Sequence, residues 1–425
     1  MLRKILFIVL LTPIFTNATT IISLLNALDD RPESRLDNLE IEKSALGRQS
    51  TGDKLMPTVK LFGGYEQFNT PTGLIPVPPN TMIGMVRNPD IAQPFSKQAL
   101  RGGIEFNWPI FVMSLYSLEE KADLLHLASR DKKEINRIER QAAVIGAVAN
   151  LRYLESLQKA LDAKQRSIME TLKTTMIMIK EGRTPESALF ILRSNINQLE
   201  ISLNSIEQQR NGLISKIDKL TGIELRSSVP LHRKRSVRRG EIFALRPLEK
   251  KLEASSRGMK AANEAYYPTV VTKGSLVYSR GEAYNNGIDI GEHYGTAGVY
   301  LSMPLYDRSK STASQQAKVA YMEGREKLEQ TRHNLTVQAR ELEKETLLLK
   351  RSITLARKSV SDQEKLLKIA KVSLTNESIS QEEYLRYEDA LANARANLYK
   401  FEAKEWQDIA QLAVIYGNDL KEIVK

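Results

Sequence analysis

The sequence of 425 residues contains no cysteine, which excludes disulfide bridges, thiol nucleophiles and cysteine metal sites. We also expect no lipid anchor, because no cysteine follows the N-terminal apolar segment. Aromatic residues and proline are scarce, with Trp 2, Phe 10 and Pro 15. This composition favours long, surface-rich helices over a deep globular core.

Long apolar runs are also missing, since nothing approaches the ~20 consecutive apolar residues of a transmembrane helix. The apolar run from Ile5 to Phe15 is shorter, follows Arg3 and Lys4, and ends in small or polar residues up to Ala18. These are the three parts of a secretory signal peptide. We therefore expect residues 1–18 to be a cleaved signal peptide, and we expect any membrane insertion to use strands.

The residues needed for most enzyme sites are absent or scattered. None of the four histidines has another at the i, i+4 spacing of metal ligands, and no phosphate loop or nucleophile elbow is present. The segment from Glu282 to His293 is acidic, but we interpret it as a surface loop rather than a cation site. The sequence predicts no enzyme, no cofactor and no metal.

The chain has a net charge of +11, and much of this positive charge lies in one segment. In a cytosolic protein such a cluster would favour nucleic-acid binding. Behind a signal peptide we interpret residues 223–247 as a solvated basic linker and expect no nucleic-acid partner. The basic residues are Arg226, Arg233, Lys234, Arg235, Arg238 and Arg239.

The chain is an internal duplication. Pro57-Thr58-Val59 recurs as Pro268-Thr269-Val270, and the interval from Gly103 to Pro109 has the same length as that from Gly298 to Pro304. Each copy reads as a helix, a β-hairpin and a long helical hairpin. We predict a first repeat at 19–222 with its β-hairpin at 58–111 and its helical hairpin at 112–222. The second repeat, at 248–425, has them at 269–305 and 306–417.

Apolar spacing predicts coiled-coil helices in both repeats. Leu328, Leu335, Leu342 and Leu349 recur every seven residues, and the pattern continues through Ile353. In the first repeat the steps of three and four run from Leu189 to Leu220, broken only at Arg210. A helix from about 308 to 373 would be on the order of 100 Å long.

Four segments alternate between apolar and polar residues, as strands with one apolar face do. Val59 and Leu61 flank Lys60, and Ile104, Phe106 and Trp108 alternate with polar residues. We expect irregular loops at 69–95 and 281–293. Four strands cannot close a barrel alone, so membrane insertion would require oligomerisation.

Repeated β-hairpins joined to paired coiled-coil helices resemble the TolC family of outer-membrane efflux proteins over nearly the whole predicted mature chain. The motifs that carry the resemblance are the phrases ending at Pro57 and Pro268, the strands ending at Pro109 and Pro304, the turn Gly182-Arg-Thr-Pro185, the helix end Leu220-Thr221-Gly222, and the stretch from Leu385 to Gly417.

The resemblance implies a mainly α fold with transmembrane β structure. Long antiparallel coiled-coil hairpins and four strands per protomer would form a trimeric, twelve-stranded barrel on an α-helical periplasmic tunnel. It also implies an efflux or secretion duct in outer-membrane lipid, working with a periplasmic adaptor and an inner-membrane transporter. The alternative is a periplasmic coiled-coil structural or adaptor protein with a small soluble sheet. The exported substrate stays open.

Two groups of residues acquire roles from this resemblance. Glu383 falls at the first acidic position of the tunnel entrance, whereas the second acidic position is occupied by Arg386, a departure from the family. The turns between the paired helices would be the periplasmic tips that meet the adaptor. These turns contain Gly182, Arg183, Thr184 and Pro185 in the first repeat, and Ser378, Ile379 and Ser380 in the second.

Overall fold

The computed structural model describes residues 20–425, so the predicted signal peptide lies outside the described residues. The described chain is mainly helical with four antiparallel strands, which confirms the predicted fold class. The strands are β1 (Thr58–Gly73), β2 (Phe95–Val112), β3 (Thr269–Glu282) and β4 (Asp289–Ser302). The helices are α1 (Ile21–Ala27), α2 (Pro32–Gly52), α3 (Pro79–Arg87), α4 (Met113–Lys180), α5 (Ser187–Thr221), α6 (Arg246–Glu264), α7 (Arg308–Thr375), α8 (Gln381–Tyr416) and α9 (Leu420–Ile423).

The described residues form two compact units. The first contains residues 20–39, 132–245 and 331–425, and the second contains residues 40–131 and 246–330. The second unit holds all four strands, together with the helical segments that directly precede or follow them.

Two helices dominate the chain, because α4 and α7 each have 68 residues and contain no proline. At ~1.5 Å per residue each is about 100 Å long. Within the described part of the chain, no helix is both long and apolar enough to cross a membrane.

The coiled-coil seam of α7, which is the row of apolar residues that recur every seven positions, is largely shielded from solvent. Leu328, Leu342, Leu349 and Ile353 are buried, and Leu335 is half-buried. The seam of α5 behaves in the same way, with Leu199, Ile206 and Ile217 buried. The heptad spacing therefore identified the packed faces of both helices.

The basic linker is anchored to the first unit by its apolar residues. Leu225, Val229 and Leu231 belong to the hydrophobic core of the first unit. The backbone of His232 pairs with that of Lys425 through two hydrogen bonds of 3.1 and 2.8 Å. Burial of the alternating apolar residues holds the segment in place, while its basic residues stay exposed between them.

Several linker cations are also paired. Ion pairs join Arg233 to Glu405, Arg235 to Glu422 and Arg239 to Glu343. The Arg235–Glu422 pair is largely exposed and so adds only a little to stability, whereas the carboxylates of Glu405 and Glu343 are mostly covered.

Both connecting loops are shorter than predicted. Strand β1 continues to Gly73, and the proline-rich loop contains the short helix α3. The turn between β3 and β4 occupies only residues 283–288. Apolar alternation fades before these strands end, but their backbones continue to pair, which is why the sequence pattern underestimated them.

Candidate functional site

The four strands form one antiparallel sheet in the order β1-β2-β3-β4. Each strand pairs with its neighbour along almost its full length. Within the described residues, the outer edges of β1 and β4 are unpaired. These edges present unsatisfied backbone N–H and C=O groups that another chain can pair with.

One face of the sheet is apolar and exposed. The register aligns Leu61 with Ile104 and Leu276, and side chains of aligned residues share a face. Leu61 is 86% exposed and Leu276 is 69% exposed. A contiguous apolar surface of this kind marks an interaction or membrane surface. Its other large members are Val59, Tyr65, Leu100, Phe106, Trp108, Tyr278, Val299 and Leu301.

The opposite face is mainly polar. One aligned row on it joins Lys60, Glu105, Ser275 and Thr296 across the four strands, although another row contains Phe62, Val277 and Tyr294. The hydroxyl groups of Ser275 and Thr296 lie 2.8 Å apart. Further along this face, Arg101 forms an ion pair of 2.9 Å with Glu66 on the neighbouring strand. The sheet therefore separates an apolar surface from a mainly hydrophilic one.

The two connecting loops at the far end of the sheet are tied together by one side chain. The amide of Asn285 donates hydrogen bonds to the carbonyl oxygens of Pro89 (3.2 Å) and Ile91 (2.9 Å). Its own oxygen accepts from the backbone N–H of Gln93 at 3.0 Å. The short β3–β4 turn thus fixes the end of the long β1–β2 connection.

The first predicted tip is a tight helix end. Gly182 has φ +69°, a left-handed conformation that glycine adopts without steric cost. Its N–H bonds to the carbonyl of Ile179 and that of Arg183 to the carbonyl of Met178, both at 2.9 Å. This hydrogen-bond pair terminates α4, and α5 begins at residue 187. Thr184 is half-buried, whereas the rest of the turn is exposed.

The second tip repeats this geometry without glycine. Glu377 occupies the left-handed position at φ 55°, and the N–H of Ser378 bonds to the carbonyl of Ser373 at 2.8 Å. Ser380 then caps α8, because its hydroxyl accepts from the N–H of Glu383 at 3.1 Å. Ile379 is half-buried, as Thr184 is in the first tip. Glu377 could not be recognised from the sequence, because no turn signal marks it.

The predicted entrance residues lie in the first two turns of α8, and both are exposed. Within the protomer, Arg386 does not pair with Glu383. It donates instead to Glu382 at 2.6 Å, four residues earlier on the helix. Glu382 is thereby added to the candidate entrance, while Glu383 keeps a free carboxylate among the described residues.

The described residues contain no cluster of three or more His, Asp or Glu with the geometry of a metal site. The acidic segment noted in the sequence is instead part of the β3–β4 hairpin, where Asp289 forms an ion pair with Arg280.

Comparisons with known proteins identify relatives of this fold. Residues 240–418 match the family described as "Outer membrane efflux protein". No curated protein is significantly similar to the chain in sequence.

Among solved structures, the chain is similar to the CmeC outer membrane channel of Campylobacter jejuni at 14% identity, with a TM-score of 0.71 over 94% of this chain and 85% of that one. It is similar to the outer membrane protein VceC of Vibrio cholerae at 14% identity, TM-score 0.70, over 93% and 96%. The open state of the Neisseria gonorrhoeae MtrE outer membrane channel is similar at 14% identity, TM-score 0.70, over 95% and 90%. At this level of identity the similarity shows a shared fold.

Proposed function

We propose, from the outer membrane efflux protein domain that the chain carries at residues 240–418, that it is a protomer of an efflux channel of the TolC family. The chain has the fold of outer membrane channels across nearly its full length. Its sheet would lie in the outer membrane and its long helices in the periplasm. The protein acts as a duct and carries out no catalysis.

The two-faced, open-edged sheet is the observation that carries this proposal. An apolar face suits lipid, and a polar face suits a water-filled lumen. Backbone groups at open edges cannot remain unpaired in hydrocarbon, so β1 of one copy must meet β4 of another. Three copies of a four-stranded sheet supply twelve strands, an even number that a closed antiparallel barrel requires.

A soluble scaffold or adaptor protein is disfavoured by the same face, because side chains such as Leu61 and Leu276 would be exposed to water. The decisive experiment reconstitutes the purified mature protein into planar bilayers and measures conductance and subunit number. We expect a detergent-stable trimer with discrete channel events. A monomer with all four strands formed and no conductance would contradict the proposal.

The two helix tips are our proposed docking points for a periplasmic adaptor connected to an inner-membrane transporter. They support this role because both expose most of a tight turn and share one geometry. Photocrosslinkers at Thr184 and Ser380 should capture the adaptor or the transporter in cells. A matched probe at Ser309, at the strand-proximal start of α7, should not. Capture of outer-membrane proteins alone would contradict the assignment.

The start of α8 is our proposed channel entrance. If the first turns of α8 line a narrow opening, three copies of the chain place three Glu383 carboxylates in a ring. These carboxylates repel one another and attract cations more strongly than a single solvated glutamate would. Glu383→Ala should weaken cation preference in single-channel recordings. Unchanged selectivity in a normally assembled variant would place Glu383 away from the lumen.

A further inference from the structure

A groove of about 500 Å³ lies among α2, α4 and α6 in the second unit. Its charged lining is strongly one-sided, with five cationic side chains and a single carboxylate. Apolar side chains of α4, including Leu118 and Leu125, form part of its wall. The charged residues are Lys43, Arg48, Lys54, Lys121, Lys251 and Glu40.

Two of the cations already have partners, and three do not. Arg48 forms an ion pair with Asp123, and Lys43 lies 3.7 Å from Glu40. Among the described residues, Lys54, Lys121 and Lys251 form no ion pair. The groove therefore keeps three ammonium groups available for an anionic ligand.

The local packing directs one of these lysines along the groove wall. A side chain at Gly258 of α6 would meet the Nζ, Cε and Cδ atoms of Lys121 at 3.2 to 3.5 Å. The absence of a side chain at Gly258 thus leaves the space in which Lys121 crosses from α4 to α6. Lys121 is half-buried there, which limits the freedom of its ammonium group.

The groove lies close to the sheet along the chain. Lys54 comes four residues before β1, and Leu118 follows β2 by six residues. At ~1.5 Å per helical residue, this end of the groove lies within about 10 Å of the strand ends, whereas Lys251, 18 residues before β3, lies about 27 Å from its strand. If the strands cross the outer membrane, the near end of the groove borders the periplasmic headgroups, which extend about 5 to 8 Å beyond the hydrocarbon. Anionic headgroups there attract basic side chains, and acyl chains can contact apolar ones.

We propose that the groove binds the phosphate group of an anionic phospholipid from the periplasmic leaflet. This inference rests on the proposed function, since it requires the sheet to lie in the membrane. The ammonium groups of Lys54, Lys121 and Lys251 hold the phosphate, and Leu118 and Leu125 contact the first methylenes of the acyl chains. The lipid fastens the three helices where they meet the sheet.

The purified full-length channel in neutral detergent is titrated with one of three ligands, and binding is measured by calorimetry. The ligands are short-chain phosphatidylglycerol, short-chain phosphatidylcholine and inorganic phosphate. Phosphatidylglycerol should bind at least tenfold more tightly than the other two. The variant Lys54→Gln/Lys121→Gln/Lys251→Gln should bind it on the order of 100-fold more weakly, since each basic group near an anionic headgroup contributes roughly a fivefold factor.

A matched variant controls for net charge. Lys358, Lys368 and Lys371 are exposed on α7, far along the chain from the strands, and Lys→Gln at all three should leave binding unchanged. Equal loss in both variants, equal binding of both lipids, or equally tight inorganic phosphate would each overturn the lipid assignment.

Conductance in neutral bilayers separates this inference from the proposed function. Both variants should conduct like the wild type. Conducting channels without selective lipid binding refute only the groove assignment, whereas a wild type that never conducts refutes the channel itself.

Discussion

Introducing an arginine on the apolar face of the sheet is a sharp test of its orientation. Leu276 is the eighth of 14 residues in β3, so it lies near the middle of the strand and of any bilayer the strand crosses. Arginine facing lipid at the midplane costs about 2–4 kcal/mol. In a symmetric trimer, Leu276→Arg should therefore cost about 6–12 kcal/mol per assembly. On a soluble sheet this exposed position would tolerate the change within about 0.5 kcal/mol.

The adjacent residue supplies the control. Ser275 precedes Leu276 on the same strand and so points to the opposite face, where it is aligned with Glu105 of β2. Ser275→Arg adds the same side chain beside a carboxylate on the polar face. We expect it to change stability by less than about 1 kcal/mol, because a cross-strand pair of opposite charges compensates the added bulk.

Denaturant unfolding in lipid vesicles measures both variants, with heat-resistant trimers on gels as a second readout. Leu276→Arg should unfold at a much lower denaturant concentration and insert poorly, while Ser275→Arg should resemble the wild type. Equal effects of the two substitutions, or a larger effect of Ser275→Arg, would refute the assignment of the apolar face to lipid.

Four further substitutions test other features. Gly182→Ala and Gly417→Ala both force alanine into a left-handed conformation, which costs about 1 kcal/mol. Only at Gly417 would the new methyl group overlap Phe243, which adds about 1–3 kcal/mol of destabilisation. Gly417→Ala should therefore lower the melting temperature more than Gly182→Ala does. Arg386→Ala frees the Glu382 carboxylate and should increase cation preference, measured as a shifted reversal potential; an unchanged potential would exclude this residue from the entrance. Burial raises the pKa of Asp408 against the opposing effect of the Lys404 ammonium group, so the folded state binds this proton more tightly than the unfolded state does. The contribution of this proton to the free energy of unfolding is fully present below about pH 4 and decreases as the pH rises through the raised pKa. Asp408→Asn should remove this decrease, which melting curves at pH 4 and pH 7.5 measure.

Local patterns in the sequence determined most of the architecture. Proline-free intervals and heptad spacing predicted α4 and α7, because helix continuity and seam position depend on neighbours within a few residues. Apolar alternation identified both faces of the sheet for the same reason, and four strands implied partners because a barrel cannot close with fewer than about eight. Gly182 was recognisable because a left-handed helix end favours glycine.

Contacts between distant residues, and local geometry that residue type does not reveal, decided the rest. The linker is held by a core and by the backbone of Lys425, neither of which its own composition reveals. Glu377 adopts a left-handed conformation because the hydrogen bonds of a second helix end require it, although its residue type does not favour it. Arg386 had acidic neighbours at both i−3 and i−4, and side-chain geometry selected Glu382. The groove among α2, α4 and α6 is lined by residues up to about 200 positions apart in the chain, so only tertiary packing could assemble it.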